Sequence, residues 1–245
     1  VYVTGRSDDQ STGRLPGTVR KTAAEVDGAG GRGIPVACDQ RDDSQVAALF
    51  ERVREQSGRL DVLVNSSFQI PRELTSGKPF WQVPLSNWDD MIDVGLRSAY
   101  VASWHAAQVM AEQRGGLIAN VSSSGAAEYA WHVVYGVGKC ALDRMTADMA
   151  HELRKFEVAV VSLWPGLVLT ERTQAFAETG ALDATNAESQ RFTGRAIAHL
   201  AGDPKVLSDS GHALTSRSLA ERYGFRDVDG RMPDGPLHER PAGLD

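Results

Sequence analysis

A tyrosine and a lysine one helical turn apart, Tyr135 and Lys139, form the sharpest chemical signal in the sequence. They open a segment of helical periodicity, so their side chains should share one face of a helix. A nearby ammonium favours the phenolate form, which would bring the phenol pKa closer to neutral than its ordinary value of about 10. The pair therefore predicts an acid–base group that exchanges a proton with a substrate oxygen.

Serines follow the predicted strand that precedes this pair, in the run Ser122-Ser123-Ser124. A serine hydroxyl at the end of that strand could donate a hydrogen bond to a substrate oxygen as negative charge develops there. An isolated Tyr-x-x-x-Lys pattern is more often a half-exposed surface pair. Its position after a strand that ends in serines is what favours chemistry here.

The elements that must position these residues alternate along the chain. Short apolar segments predict strands at residues 1–3, 33–38, 60–64, 117–121 and 159–163, with a weaker one at 212–214. Segments with apolar residues at three- and four-residue steps predict helices at 19–28, 45–57, 88–114, 134–156 and 187–202. The alternation is typical of an α/β fold with a doubly wound parallel sheet, which binds ligands beyond the carboxyl ends of its strands.

Composition narrows the class of protein. With 245 residues and 42% hydrophobic content, the chain favours one domain over residues 1–245, with an irregular tail at 226–245 and a loop at 7–17. A net charge of −6 without a basic stripe disfavours nucleic acid. Cys38 and Cys140 lack the spacing of metal or disulfide sites. No apolar run approaches the roughly 20 residues that span a bilayer, so we expect a soluble, cytoplasmic protein without a metal.

The order of these motifs resembles the short-chain dehydrogenase/reductase family over residues 1 to about 216. The resemblance implies a Rossmann-type fold and hydride transfer between a nicotinamide cofactor and a carbonyl or alcohol. It also implies that Tyr135 is the catalytic acid/base, that Lys139 lowers its pKa and holds the nicotinamide ribose, and that Ser123 orients the substrate oxygen. The matching motifs are Asp39, Leu63-Val64-Asn65, Ser122-Ser123, Tyr135-x-x-x-Lys139 and Pro165-Gly166.

The choice of serine depends on where the alignment is anchored. The family's usual spacing to the tyrosine selects Ser122, whereas alignment from the strand selects Ser123. We expect Ser123, because a one-residue slip in a strand would reverse its side chain, while a loop loses a residue at little cost. Ser122 is the alternative.

The resemblance also implies how the cofactor binds. Asp39 stands at the adenine site, and the segment from Pro165 to Thr170 resembles one that holds the nicotinamide carboxamide through the Val168 backbone and the Thr170 hydroxyl. A Pro-Gly pair by itself is as often an ordinary turn. The implied cofactor-binding residues are Arg6, Asp39, Asn65, Ser66, Ser67, Tyr135, Lys139, Pro165, Gly166, Val168 and Thr170.

The start of the chain bears on the type of cofactor. No G-x-x-x-G-x-G pattern follows residues 1–5, so this segment resembles the family's second strand. Arg6 then stands where a basic residue binds the 2′-phosphate, which implies NADP(H) rather than NAD. A solvated surface arginine is the alternative. In this registration the family's first strand, glycine-rich loop and most of its first helix are missing, and we expect an exposed sheet edge.

One departure from the family pattern lies in the helix predicted at 88–114. Gly95 stands where the family has an asparagine that relays protons to the lysine. A glycine within a helix costs about 1 kcal/mol relative to alanine, so it predicts a kink or close packing. One subgroup of the family shares this glycine and the run at residues 222–230.

Aromatic residues suggest where a substrate would lie. Tyr129, Trp131 and His132 precede the tyrosine, and aromatic side chains there suit a bulky apolar carbonyl compound. Packing of Trp131 in the core or in an oligomer contact is the alternative. His132 is more simply read as structural.

Other aromatic residues and the long helices bear on packing and assembly. We predict that Trp81, Trp88 and Trp104 pack within the fold. The family's association through two long helices, here 88–114 and 134–156, implies a homo-oligomer, either a dimer or a tetramer.

The leading hypothesis is therefore an NADPH-dependent carbonyl reductase that acts on a small molecule, or the reverse alcohol dehydrogenase. A protein that binds a dinucleotide or a partner but has lost its chemistry is the second hypothesis, motivated by Gly95 and the missing glycine-rich loop. A lyase or epimerase on the same fold is the third, and it would show no net oxidation of the cofactor.

Overall fold

The computed structural model describes residues 1–8, 17–71 and 73–235. It confirms the predicted α/β fold with parallel sheets. The chain divides into two compact units, Val1–Arg59 and the residues from Leu60 onward.

The first unit contains two strands and two helices in alternation. Its elements are β1 (Tyr2–Gly5), α1 (Val19–Gly28), β2 (Ile34–Ala37) and α2 (Asp43–Ser57). The two strands pair in parallel, with Tyr2 opposite Ile34. Their carboxyl ends therefore lie at the same edge of this sheet. The side chain of Asp42 caps the start of α2 by accepting from the Ser44 backbone N–H at 3.0 Å.

The second unit is built on a four-stranded parallel sheet. Its strands are β3 (Val62–Asn65), β4 (Gly116–Val121), β5 (Val158–Trp164), the short strands β6 (Val168–Leu169) and β7 (Glu188–Ser189), and β8 (Ala213–Thr215). The sheet order is β3-β4-β5-β8, while β6 pairs with β7. Its helices are α3 (Ser86–Ile92), α4 (Ser98–Gln113), α5 (Val133–Leu153), α6 (Glu171–Glu178), α7 (Gln190–Gly202) and α8 (Ser216–Tyr223).

Burial is greatest at the centre of this second sheet. Every residue of β5 is buried, as expected of a parallel strand covered on both faces. Phe192 and Leu200 of α7 pack with Leu163 of β5 in the main hydrophobic cluster. Among the described residues, β3 pairs with β4 and lies at one edge of the sheet. The centre is thus a rigid support for the ends of β4 and β5.

The single helix predicted at 88–114 is wrong. Two helices, α3 and α4, are joined by a π-helical turn at Asp93–Arg97 that contains Gly95. A π-helical turn inserts extra backbone into a helix and is frequent near functional sites. The glycine that predicted a kink or close packing therefore lies in a π-helical turn.

Several short helices and strands were not predicted from the periodicity of the sequence. The helices α6 and α8 and the strand pair β6–β7 were not predicted, and the helix predicted from residue 187 begins at Gln190. Its start is set by Ser189, whose hydroxyl accepts from the Phe192 backbone N–H at 3.3 Å.

The predicted tail is irregular where it is described. Residues 226–235 form neither helix nor strand, but Asp227 is buried and accepts from the Ser189 backbone N–H at 2.7 Å. Residues 236–245, and residues 9–16 of the predicted loop, lie outside the described residues.

Across the described parts of the chain, none of the helices combines the length and the apolar character that crossing a membrane requires.

Candidate active site

The end of β4 and the first turns of α5 bring together a serine, a tyrosine and a lysine. The Tyr135 hydroxyl donates to Ser123 Oγ at 2.9 Å. Lys139 Nζ lies 5.9 Å from the centre of the Tyr135 ring and donates to the Val121 carbonyl at 2.9 Å. The three residues predicted to be catalytic therefore share one site.

The neighbouring serine points elsewhere. Ser122 Oγ donates to the Lys139 backbone carbonyl at 3.4 Å. Successive residues of an extended chain point to opposite sides, so only one of the two serines can face the tyrosine. The geometry favours Ser123, the residue that alignment from the strand selects.

A glycine allows this close approach. A Cβ atom on Gly125 would lie 2.7 Å from Cε1 of Tyr135 and 3.1 Å from Ser123 Oγ. Any side chain at this position would displace the tyrosine. Sequence reasoning missed Gly125, although the short loop between serine and tyrosine was a usable signal.

Burial sets the proton affinity of the tyrosine. Desolvation raises the pKa of Tyr135 above its ordinary value, and the hydrogen bond with Ser123 lowers it only in part. The net shift of this pKa is therefore upward, so in this structure burial outweighs the lowering that was predicted from Lys139. The physical reason is that the ammonium hydrogen-bonds to the Val121 carbonyl and does not offset the cost of burying a phenolate. Tyr135 is a protonated phenol at neutral pH.

Burial has the opposite effect on the pKa of Lys139. Desolvation lowers the pKa of Lys139 to about 8, while the charge of Asp143 raises it. Lys139 thus changes charge close to physiological pH. Its charge depends on the groups around it.

Asp143 is a buried carboxylate that sequence reasoning missed. It lies on α5 one turn beyond Lys139 and accepts from Ser162 Oγ at 2.6 Å and from Trp164 Nε1 at 3.0 Å. Its spacing of four residues from Lys139 was the signal that could have identified it.

An aromatic ring lines the other side of the lysine. The Phe68 ring lies edge-on to Tyr135 at 6.2 Å and 84°, and Lys139 Nζ is 5.3 Å from its centre. A Cβ on Gly95 would lie 3.7 Å from Phe68. The position of the family's relay asparagine therefore meets an apolar ring in this chain. No sequence signal identified Phe68.

The predicted cofactor residues at the end of β3 divide into two groups. Asn65 Nδ2 donates to Asn120 Oδ1 at 2.8 Å and to Ser103 Oγ at 2.9 Å, which ties β3 to β4 and α4. Ser66 and Ser67 are exposed and irregular. Asn65 thus holds the strand end, and the serines face outward beyond it.

The segment after β5 is held by a second buried carboxylate. The Gly166 backbone N–H donates to Glu188 Oε2 at 2.8 Å, and a Cβ on Gly166 would lie 3.2 Å from that oxygen. Pro165 is buried beside it. Glu188 was not recognised in the sequence, where it lay inside a predicted helix.

The two remaining residues of this segment lie at the ends of short elements. Val168 begins β6, and its carbonyl accepts from Thr173 Oγ1 at 2.8 Å. The Thr170 hydroxyl caps α6 by accepting from the Thr173 backbone N–H at 3.3 Å. The structure thus gives the Thr170 hydroxyl a helix-capping role that the sequence did not predict.

Arg6 and Asp39 lie in the first unit. Arg6 directly follows β1 and is exposed. Asp39 follows β2 by two residues, and its Oδ1 accepts from the Arg41 backbone N–H at 3.0 Å. Both residues therefore lie at the end of the two-stranded sheet where the carboxyl ends of its strands meet.

The loop before Tyr135 presents aromatic side chains. Tyr129 and Trp131 are exposed, and Trp131 adopts φ of 60°, a conformation that is rare for bulky residues. His132 is buried and precedes the first turn of α5, and its Nε2 has no hydrogen-bond partner among the described residues. Packing of Trp131 in the core is excluded within this chain.

The predicted packing of three other tryptophans is wrong. Trp81, Trp88 and Trp104 are 71%, 49% and 54% exposed. Periodicity identifies a helix but not which of its faces another element covers, so large apolar residues on α3 and α4 were misassigned.

Comparisons with known proteins agree with this architecture. A family profile described as short chain dehydrogenase matches residues 10–181. Dehydrogenase/reductase SDR family member 1 of Mus musculus is 45% identical over 245 residues, covering 94% of this chain and 76% of that protein. The Homo sapiens protein of the same name is 44% identical with the same coverage.

A solved structure supports the fold. The 7α-hydroxysteroid dehydrogenase complexed with NADH and 7-oxoglycochenodeoxycholic acid has a TM-score of 0.73, covering 87% of this chain and 82% of that one at 21% identity. The predicted resemblance is confirmed by the profile and by the two relatives. This chain belongs to the short-chain dehydrogenase/reductase family and is similar to its member 1 subgroup.

Proposed function

We propose that this protein, an oxidoreductase of a family that uses nicotinamide cofactors, reduces a carbonyl compound with NADPH or oxidises the corresponding alcohol. The observation that carries the proposal is the 2.9 Å hydrogen bond between the Tyr135 hydroxyl and Ser123 Oγ, next to the buried Lys139. Two hydroxyl groups this close can both reach a single substrate oxygen.

The donor set fits a dinucleotide. Lys139 has three N–H donors, and the Val121 carbonyl accepts from one of them, so the others suit the hydroxyls of a ribose. When bound, the cofactor supplies or accepts the hydride. In the second unit, the residues that would hold its nicotinamide part are Tyr135, Lys139, Asn65, Ser66, Ser67, Pro165, Gly166, Val168 and Thr170. In the first unit, taken by itself, Arg6 and Asp39 would contact an adenosine.

The protein's own residues then carry out the proton transfer. Tyr135, kept protonated by its raised pKa, donates its proton to the substrate oxygen as negative charge develops there. Ser123 donates a hydrogen bond to the same oxygen and holds it in place. The positive charge of Lys139 stabilises the phenolate left on Tyr135. Proton transfer of this kind contributes roughly 10²- to 10⁴-fold to the rate.

Exposed aromatic residues favour bulky apolar substrates. Tyr129 and Trp131 precede the helix that carries Tyr135 and present their rings to solvent. Such rings bury a large apolar area when a ligand covers them. We therefore propose ketones, aldehydes or quinones with a sizeable apolar group as the substrate class.

A stopped-flow assay tests the function. Protein expressed from its complete coding sequence is mixed with NADPH and with a panel of apolar ketones, aldehydes and quinones. We expect loss of NADPH absorbance with at least one member of the panel. No turnover of any member in either direction would contradict the proposal.

A non-catalytic alternative rests on one observation. Position 95 offers no polar side chain, and the nearest neighbour of that position is the apolar ring of Phe68. A protein that binds a dinucleotide without turning it over would fit this arrangement. Calorimetry that shows tight NADPH binding together with an inactive carbonyl panel would favour this alternative.

Arg6 supports NADP(H) as the cofactor, because an exposed guanidinium that follows a strand can bind a 2′-phosphate. We predict that Arg6→Ala lowers kcat/KM for NADPH relative to NADH by roughly tenfold to a hundredfold, since a charged hydrogen bond contributes about 1.5–3 kcal/mol. Arg32→Ala is the control, because Arg32 precedes β2 at the opposite edge of the same sheet. An unchanged NADPH-to-NADH ratio in Arg6→Ala would contradict this assignment.

Assembly through α4 and α5 is the final part of the proposal. A groove of about 570 Å³ is lined by residues of these helices, among them Tyr100. Tyr100 and Trp104, one turn apart on α4, are more than half exposed. Light scattering should give a mass at least twice that of one chain, and Trp104→Glu should lower it. Trp81→Glu, at an exposed site outside α4 and α5, is the control. A monomer at micromolar concentration would contradict the prediction.

A further inference from the structure

Asp143 is buried directly behind the proposed site. Its side chain lies on α5 one helical turn beyond Lys139, and the residue is 5% exposed. Two groups from β5 hold its carboxylate: Ser162 Oγ donates to one oxygen at 2.6 Å and Trp164 Nε1 to the other at 3.0 Å. Each oxygen thus has a fixed donor, and the carboxylate cannot swing toward solvent.

The net shift of the pKa of this carboxylate is upward, because burial outweighs its hydrogen bonds and the charge of Lys139. Burial raises the pKa of Asp143, while hydrogen bonds from Ser162, Ser122 and Trp164 and the charge of Lys139 lower it. The indole N–H can only donate, so it is satisfied only if the facing oxygen accepts. A carboxylate that receives donors on both oxygens is stabilised as the anion.

Lys139 has little else to stabilise its charge. Its ammonium donates to the Val121 carbonyl of β4, and the Phe68 ring lies on its other side. On α5 itself, Tyr135 and Asp143 are the titratable neighbours. Among the described residues, Asp143 is the group whose charge acts on Lys139.

We propose that Asp143 is a positioning residue that acts through Lys139, holding the ammonium in its charged form beside Tyr135. This inference rests on the proposed function, because it assigns Asp143 a part in the same reaction. The arrangement also accounts for a site in which position 95 carries no polar side chain: a buried carboxylate lies one helical turn from the lysine on the same helix. Asp143 itself does not touch the reacting atoms.

A consequence follows for the pH profile. Lys139 must be protonated to stabilise the phenolate of Tyr135, and its pKa is about 8. The kcat/KM for carbonyl reduction should therefore fall as the pH rises through about 8. Loss of the Asp143 charge lowers the pKa of the lysine, so this alkaline limb should move to lower pH.

Direct titration of Lys139 tests the inference without any turnover. The chain has five lysines, so a sample labelled with ¹³C at the lysine ε-carbons gives few signals. The Lys139 signal is assigned by its loss in Lys139→Arg. Its chemical shift is followed against pH in the parent protein and in three variants, all expressed from the complete coding sequence.

The variants separate charge from packing. Asp143→Asn removes the charge, and its amide oxygen can still accept from Trp164 Nε1 while its N–H donates to Ser162 Oγ. Asp143→Asn/Trp164→Phe removes the charge and also the need for the amide to adopt that one orientation, so it keeps the test informative where the single variant does not fold. Trp164→Phe alone keeps the charge and loses one hydrogen bond, which makes it the matched control.

We expect the Lys139 midpoint to fall by at least about one pH unit in both variants that lack the charge, because a neighbouring opposite charge typically shifts a pKa by about 1–3 units. The midpoint in Trp164→Phe should stay close to that of the parent. An unchanged midpoint in the double variant, or an equal fall in Trp164→Phe, would overturn the role of Asp143. Absence of NADPH oxidation by the parent would instead count against the proposed function.

Discussion

Tyr135→Phe should lower kcat for carbonyl reduction by roughly 10²- to 10⁴-fold, the range expected when a general acid is removed. The substitution deletes the hydroxyl that donates to Ser123 Oγ at 2.9 Å and leaves the ring against Phe68 and Gly125. Cofactor binding should persist, because Lys139 retains its ammonium. Steady-state kinetics and calorimetric titration with NADPH measure the two effects separately.

Tyr129→Phe is the matched control for this prediction. Tyr129 is exposed on the loop before α5, so loss of its hydroxyl should change kcat by less than about tenfold if it acts only through apolar contact. A Tyr135→Phe enzyme that retains most of the parental kcat would show that the proton comes from another group.

Ser123→Ala should lower kcat by about 10²- to 10³-fold, which is the usual effect of removing one donor to a developing oxyanion. Ser123 Oγ faces the Tyr135 hydroxyl, so it can reach the same substrate oxygen. The loss should appear mainly in kcat, because the interaction strengthens as charge develops. Kinetics with the best carbonyl substrate of the panel provide the measurement.

Ser122→Ala is the natural comparison, since the two serines are adjacent and differ in direction. Ser122 Oγ contacts the Lys139 backbone carbonyl at 3.4 Å, a weak hydrogen bond, whereas Ser123 Oγ contacts the Tyr135 hydroxyl. Its removal should cost less than about tenfold in kcat. The opposite ranking of the two variants would assign the substrate-orienting role to Ser122.

Local patterns predicted the elements that support the site. The periodicity of residues 19–28 predicts a helix with the bounds observed for α1, and the buried apolar runs predict β4 and β5 to within a few residues. The same strand alternation that selected Ser123 is what places it opposite Tyr135. These features depend on short-range sequence, which a single chain contains.

Features set by tertiary packing were not predictable in this way. The contact between Phe68 and Lys139 joins segments far apart in sequence, and Glu188 reaches the Gly166 N–H across a short strand pair. The raised pKa of Tyr135 follows from burial, which the spacing to Lys139 does not reveal. Asp143 is an intermediate case, because its spacing from Lys139 was visible but its burial was not.

Transfer of a deuterium label tests the central claim most directly. The protein is incubated with NADPH that carries deuterium at the reactive C4 position and with a carbonyl substrate, and the alcohol is analysed by mass spectrometry. The account predicts deuterium on the carbinol carbon with the parent enzyme and almost none with Tyr135→Phe. Unlabelled alcohol formed from NADPH that is deuterated at both C4 positions, or an equal rate of labelled-alcohol formation with both proteins, would contradict it.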